Sequence, residues 1–127
     1  MKRFLLIFSL TVFAFFGAYS QQQQNEQIRE KMTEFIQKRM NLSKAEAEKF
    51  NPIFQRYFQD WRNTLSDNKN DRLVLQQKVA ELRLKYRNEF KDVIGEKRSN
   101  EVYKQQEVFI KELRQLKQQR DRRGKNF

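Results

Sequence analysis

Apolar residues recur every three or four positions over most of the chain, which is the spacing of one face of an α-helix. Four such stripes predict four helices, at about residues 26–40, 44–65, 71–94 and 96–119. No segment alternates with a period of two, and none is rich in β-branched residues. We therefore expect an all-α fold of four amphipathic helices.

Polar or small residues separate the predicted helices and suit their ends. Ser43 and Glu46 have the spacing of a capping box, in which each side chain accepts a hydrogen bond from the other residue's backbone amide. Leu42 is placed to add an apolar contact beside this cap. Gly95 should end the third helix. Pro52 lies inside the second helix, where its missing N–H predicts a bend but not a break.

The second and third helices are predicted to have similar lengths, about 33 to 36 Å at about 1.5 Å per residue. A short polar turn at residues 63–71 joins them, so we expect an antiparallel pair. The third and fourth helices carry apolar residues at the alternating spacings of a coiled-coil seam. Residues 28–116 should therefore form an elongated antiparallel helical hairpin. Such a thin core leaves apolar surface uncovered, which favours a homodimer.

The first twenty residues have the organisation of a signal peptide. A short basic start precedes an apolar run that ends at residue 16 and is too short to span a bilayer comfortably. Small residues at positions 18 and 20 predict cleavage before Gln21, and an uncleaved membrane anchor is the alternative. Residues 21–27 are a polar lead that we expect to be disordered. The chain should therefore be exported.

Composition excludes several classes of function. The 127 residues include no Cys and no His, which removes disulfides, thiolate and imidazole nucleophiles, and zinc sites of Cys and His. Only 3 residues are Gly, so no glycine-rich phosphate-binding loop is present. Carboxylate pairs lie among lysines and arginines on solvated helices. We therefore expect no enzyme, no catalytic residues, no metal and no cofactor.

The chain is strongly basic, with 27 Lys and Arg against 16 Asp and Glu and a formal net charge of +11. An exported protein does not meet nucleic acid by default, so we expect no nucleic-acid partner. Much of the excess charge lies in residues 117–127, which we interpret as a solvated basic tail. Weak contact of this tail with anionic membrane lipid or with an acidic client is the alternative.

Two adjoining segments carry a resemblance to a known family. Leu42-Ser43-Lys44-Ala45-Glu46 opens the second helix, and the aromatic run Phe50-Asn51-Pro52-Ile53-Phe54-Gln55-Arg56-Tyr57 follows. With the signal peptide and the charged hairpin, this order resembles the Spy/CpxP-like family of bacterial envelope proteins over about residues 28–116. The family's Leu-Thr-x-x-Gln motif is present once, with Ser43 and Glu46 in place of Thr and Gln.

The resemblance implies a periplasmic, all-helical protein that forms a cradle-like dimer and binds unfolded or aggregation-prone envelope proteins without ATP. Other members restrain an envelope-stress sensor, which leaves open a regulatory protein whose partner is a membrane sensor or an anti-sigma protein. Some relatives bind zinc through histidines, which this chain lacks. A third class that remains open is a helical protein that binds membrane surfaces or polyanions through its charge.

Aromatic and basic residues of the second and third helices are the candidates for binding a client. Exposed aromatic side chains supply apolar contacts, and cations speed the encounter with acidic clients. Burial of the aromatic stripe in the core or at a dimer seam is the alternative. The candidate residues are Phe54, Phe58, Trp61, Arg83, Lys85, Arg87 and Lys91.

Overall fold

A computed structural model describes residues 23–125, and the predicted signal peptide lies outside this range. The described residues form four α-helices and no strand, which confirms the all-α prediction. Helix α1 covers residues 23–39 of this range. The others are α2 (Lys44–Asp67), α3 (Arg72–Ile94) and α4 (Glu96–Lys125). None of the described helices is both long and apolar enough to cross a membrane.

The outer ends of the helical region extend further than the apolar stripes indicated. Residues 23–27 are helical and exposed, whereas a disordered lead was expected there. Helix α4 continues to Lys125, whereas the apolar stripe predicted a helix only to about residue 119. Residues 23–27 are mostly Gln, and residues 117–125 are rich in Gln, Arg and Lys; these residue types have high helix propensity, and neither segment contains Pro. Backbone propensity therefore extends these helices beyond their apolar faces.

Asn41 ends α1 in a left-handed backbone conformation, with φ 53°. The N–H of Leu42 donates to the carbonyl of Gln37 at 3.1 Å, and the N–H of Asn41 donates to the carbonyl of Lys38 at 3.2 Å. These two bonds form a Schellman motif, in which the left-handed residue is usually Gly and sometimes Asn. The chain therefore turns sharply between α1 and the cap of α2.

The predicted capping box at the start of α2 is confirmed. The backbone amide of Glu46 donates to the Ser43 hydroxyl at 3.1 Å, and that of Ser43 donates to Glu46 Oε1 at 3.1 Å. The guanidinium of Arg98 in α4 also donates to both oxygens of the Glu46 carboxylate. One side chain therefore caps α2 and ties its first turn to α4.

Gly95 alone connects α3 to α4, as its predicted role at the end of α3 requires. Its φ of 85° and ψ of 165° lie in a region that is essentially restricted to glycine. Its N–H donates to the carbonyl of Lys91, and its own carbonyl accepts from the N–H of Ser99. The single glycine thus satisfies the backbone on both sides of the reversal.

The core lies within the compact unit that begins at Met32, and α3 packs against both α2 and α4. Aromatic rings join the helices: Phe50 meets Phe90 with centroids 5.2 Å apart, and Tyr57 meets Tyr86 at 5.5 Å. These pairs run in opposite order along α2 and α3. The buried apolar residues are Met32, Ile36, Phe50, Phe54, Tyr57, Phe58, Tyr86, Phe90, Ile94 and Val102.

Candidate binding groove

An open groove of about 850 Å³ lies between α3 and α4 and reaches the last two turns of α2. We call it the α3–α4 groove. Its apolar lining comprises Trp61, Leu65, Leu75, Val79, Leu84 and Ile110, with Ala80 and the Tyr103 ring beside them. Its basic lining comprises Arg72, Arg83, Arg87 and Arg114. Gln76, Asn100 and Glu107 complete it.

One large apolar side chain of the groove lining is exposed, and others are exposed elsewhere on α3 and α4. Leu84, in the lining, is 53% exposed, and Leu73, in the first turn of α3, is 78% exposed. Leu113 and Leu116 of α4 are exposed as well. The described helices do not cover these leucines, and Leu84 adds an exposed apolar side chain to the lining of the groove.

Arg83 lies at the centre of the polar contacts in the groove. Its guanidinium donates to Glu107 Oε1 at 2.7 Å, to Gln106 Oε1 at 3.2 Å and to the Tyr57 hydroxyl at 3.3 Å. It also lies 5.3 Å from the centroid of the Tyr103 ring. Contacts to residues of both α2 and α4 hold this arginine in one orientation.

Two tyrosines complete this network as neutral groups. The Tyr57 hydroxyl donates to Gln106 Oε1 at 2.6 Å, and the Tyr103 hydroxyl donates to the backbone carbonyl of Arg83 at 2.6 Å. Burial raises the pKa of the Tyr57 hydroxyl and that of the Tyr103 hydroxyl above the ordinary tyrosine value. Both side chains therefore remain hydrogen-bond donors and fix this wall of the groove.

The groove carries a net positive charge. Its lining contains four arginines but one carboxylate, that of Glu107. Among the described residues, Arg83 is the only one of these arginines that forms an ion pair, and its partner Glu107 is 59% exposed in its side chain. Arg72, Arg87 and Arg114 are therefore available to a carboxylate or another anion.

Three of the seven candidate residues line the groove: Trp61, Arg83 and Arg87. Phe54 and Phe58 do not, because they are only 0% and 4% exposed. The expectation that these two rings are exposed is therefore wrong. They lie on the face of α2 that packs into the core, where Phe54 contacts the rings of Phe50 and Tyr57.

Lys85 and Lys91 are exposed but do not line the groove. Lys85 lies about 200° around the helix from Arg83, at about 100° per residue, and its ammonium lies 5.5 Å from the Tyr86 ring centroid. Sequence reasoning also missed Arg72 and Arg114 as members of the groove. The sequence contains many Lys and Arg residues, and nothing in it marks these two. Only the pairing of α3 with α4 shows that they line the groove.

The residues of the groove are suited to binding by apolar contact and charge. The part of the chain that the structure describes has no group of three His, Cys, Asp or Glu side chains that could hold a metal ion. Comparisons of the chain with protein-family models, curated proteins and solved structures gave no match. The resemblance to the Spy/CpxP-like family therefore stays a prediction.

Proposed function

We propose that this protein is an exported, ATP-independent, chaperone-like protein that binds unfolded envelope polypeptides in the α3–α4 groove. The observation that carries the proposal is the combination of an apolar lining, in which Leu84 is exposed, with arginines that have no ion-pair partner among the described residues. An unfolded chain offers the complementary groups, which are apolar side chains and carboxylates. Many weak contacts of both kinds can hold such a chain without one fixed conformation.

The two kinds of contact have different effects on binding. Trp61, Val79 and Leu84 supply apolar surface, which contributes most of the affinity. Arg72, Arg87 and other cations attract acidic segments and raise the rate of encounter, and salt screens this effect. We therefore expect 0.5 M salt to slow capture of a client more than it reduces the final amount bound.

The proposal includes a location and an assembly. Export by the predicted signal peptide puts the protein in the periplasm, where ATP is not available to drive a chaperone cycle. We propose that the elongated hairpin forms a homodimer through exposed leucines outside the groove lining, such as Leu73, Leu113 and Leu116. Sedimentation of the mature chain at tens of micromolar tests this, and a compact monomer would contradict it.

An aggregation assay on a reduced secretory protein tests the groove. Leu84→Ser and Arg87→Gln both alter its lining and should weaken protection several-fold, with Arg87→Gln affecting mainly the rate of capture. Lys91→Gln is the matched control, because Lys91 is exposed one turn from Arg87 but outside the lining. Circular dichroism should show the same helix content in all three variants.

Two outcomes would contradict the proposal. Full protection by both groove variants would place client binding elsewhere on the molecule. If the wild-type protein protects no client but binds one membrane sensor or one anti-sigma protein with saturable affinity, the regulatory role replaces the chaperone role. Breadth of binding separates the two, since a chaperone protects many unrelated clients.

A further inference from the structure

The arginines of the α3–α4 groove are spread along its length. Arg72 is the first residue of α3, and Arg87 lies about four turns later, roughly 22 Å along the helix at about 1.5 Å per residue. Between them, α3 contributes the apolar residues Leu75 and Val79 to the lining. A cation therefore lies towards each end of an apolar stretch.

Arg114 of α4 belongs to the same end as Arg72. Arg83 contacts Glu107, whereas the later Phe90 of α3 contacts the earlier Tyr103 of α4. Residues further along α4 therefore lie opposite earlier residues of α3. Arg114, about two turns after Glu107, must lie opposite the part of α3 about two turns before Arg83, roughly 16 Å from the level of Arg87.

The centre of the groove is already neutralised, because Glu107 binds Arg83 at 2.7 Å. The cations left for a ligand are Arg72 and Arg114 at one end and Arg87 at the other. The two ends are separated by about 16 to 22 Å along the helix. An extended polypeptide advances about 3.3 Å per residue, so it covers this distance in about five to seven residues.

We propose that the groove selects extended client segments in which two carboxylates lie about five to seven residues apart and bracket apolar side chains. The inference rests on the proposed function, because it specifies which segment of an unfolded client the groove binds. Each carboxylate meets one cationic end while the apolar side chains lie between Leu75 and Ile110. Two carboxylates that are closer together than this can reach only one cationic end. Two that are further apart can reach both ends only if the residues between them leave the groove. Both kinds of segment therefore lose the additional affinity that comes from binding both ends at once.

Trp61 provides the measurement, because it is the only tryptophan of the chain and lines the groove. We would titrate its fluorescence with three tryptophan-free peptides of one composition, rich in Val and Pro so that they stay extended and carry apolar side chains. Their two aspartates lie two, six or ten residues apart. We expect the six-residue spacing to bind on the order of fivefold more tightly than the other two at low salt.

Variants at either end should abolish the preference for spacing. In Arg87→Gln, and in the double variant Arg72→Gln/Arg114→Gln, all three peptides should bind with the same, weaker affinity. Lys104→Gln is the control, since Lys104 is exposed on α4 outside the lining, and it should keep the preference. All these side chains are exposed, and unchanged helix content will show that the variants fold.

The outcomes separate this inference from the function on which it rests. Equal affinity for the three spacings in the wild-type protein, or a preference that survives Arg87→Gln, would overturn the inference and leave client binding intact. No fluorescence response to any peptide, including one with both aspartates replaced by asparagine, would contradict both. Vesicles of anionic phospholipid that bind the groove more tightly than the six-residue peptide would also overturn the inference, in favour of a lipid ligand.

Discussion

Gly95 adopts a backbone conformation that is unfavourable for every residue type except glycine, although there is room for a side chain at this position. Its φ is 85° and its ψ is 165°, and a Cβ atom added there would meet no atom within 4 Å. The cost of a side chain at this position is therefore a cost of backbone strain and not of steric contact. The connection between α3 and α4 depends on this residue alone.

Gly95→Ala should lower the free energy of unfolding by about 1–3 kcal/mol because of this strain. Gly95→Asn should not rescue stability, since Asn tolerates the left-handed helical region and not this more extended one. Gly124→Ala is the control: it lies in α4 with open space around it, and it should be neutral or slightly stabilising. Urea unfolding of the three variants measures the difference. Wild-type stability in Gly95→Ala would show that the chain can turn by another route.

Glu46 combines two roles in one carboxylate. The hydrogen bonds from Arg98, together with the backbone amide of Ser43, hold the pKa of Glu46 below its ordinary value of 4.5. A carboxyl with a lowered pKa in the folded state stabilises the protein above its unfolded pKa. That contribution is lost as the pH falls through the lowered value.

Glu46→Gln should separate the two roles. The glutamine oxygen can still accept from the Ser43 amide, so the capping box remains, but the charge that pairs with Arg98 is lost. The urea midpoint should therefore fall less between pH 6 and pH 3 in this variant than in the wild-type protein. Glu48→Gln is the control, because Glu48 is exposed on the same helix and forms no ion pair among the described residues. If the urea midpoint falls equally in Glu46→Gln and in the wild-type protein, the ion pair between Glu46 and Arg98 does not contribute to the pH dependence of stability.

At the scale of the elements, the apolar stripes predicted the helices well because burial imposes the helical period on the sequence. The second helix was predicted at residues 44–65 and is observed at Lys44–Asp67. The third was predicted at residues 71–94 and is observed at Arg72–Ile94. The period does not indicate how far an exposed helix continues. Residues 120–124 of α4 are exposed, and no residue from 120 to 125 is apolar, so the apolar stripe could not predict that the helix includes them.

The groove was less predictable than the helices. Spacing identifies an apolar face, but it does not tell which residues of that face another helix covers, so Phe58 and Trp61 look equivalent in the sequence. Phe58 is buried in the core, whereas Trp61 lines the groove. Arg72 and Arg114 lie far apart in the sequence and share the groove only through the pairing of two helices.

Pro52 lies within α2, and the helix continues past it to Asp67. Because Pro has no N–H, the carbonyl of Glu48 loses its usual partner, and the ring crowds that turn. Pro52 is exposed, so a smaller residue leaves no cavity. Pro52→Ala should raise the free energy of unfolding by about 1–3 kcal/mol and straighten any bend in α2.

Thermal unfolding and residual dipolar couplings along α2 would measure both effects. Pro52→Gly is a matched variant that restores the N–H but adds backbone freedom, so it should gain about 1 kcal/mol less than Pro52→Ala. If binding to the groove is unchanged in the more stable Pro52→Ala, the bend has no part in function. No gain in stability would show that the surroundings of Pro52 already compensate for the missing bond.

At the scale of the whole molecule, hydroxyl groups of tyrosines connect the three longest helices. The Tyr86 hydroxyl donates to Asp60 Oδ2 at 2.5 Å, and burial together with this bond raises the pKa of Tyr86 to about 12. Tyr57 and Tyr103 also have raised pKa values, mainly because of burial. A raised pKa means that these groups stabilise the fold below the ordinary tyrosine pKa of about 10, and the contribution of Tyr86 is lost as the pH rises through about 12.

We therefore expect the protein to unfold cooperatively between about pH 10 and pH 12, with tyrosinate absorbance and loss of ellipticity changing together. Tyr86→Phe removes the group whose ionisation opposes folding, so its alkaline transition should lie at higher pH, although it loses the bond to Asp60 at neutral pH. Tyrosine ionisation well below pH 11 with the helix content intact would contradict this role of the core.

The single-residue connection at Gly95 also affects how the chain folds. Helix α3 packs against the helix before it and the helix after it, and its connections are the four residues 68–71 and Gly95 alone. Short connections make the entropy of loop closure small, and low contact order goes with folding in microseconds to milliseconds. The chain has no Cys, so no disulfide has to form or rearrange first. We therefore expect the chain to refold quickly and without assistance once a denaturing condition is removed.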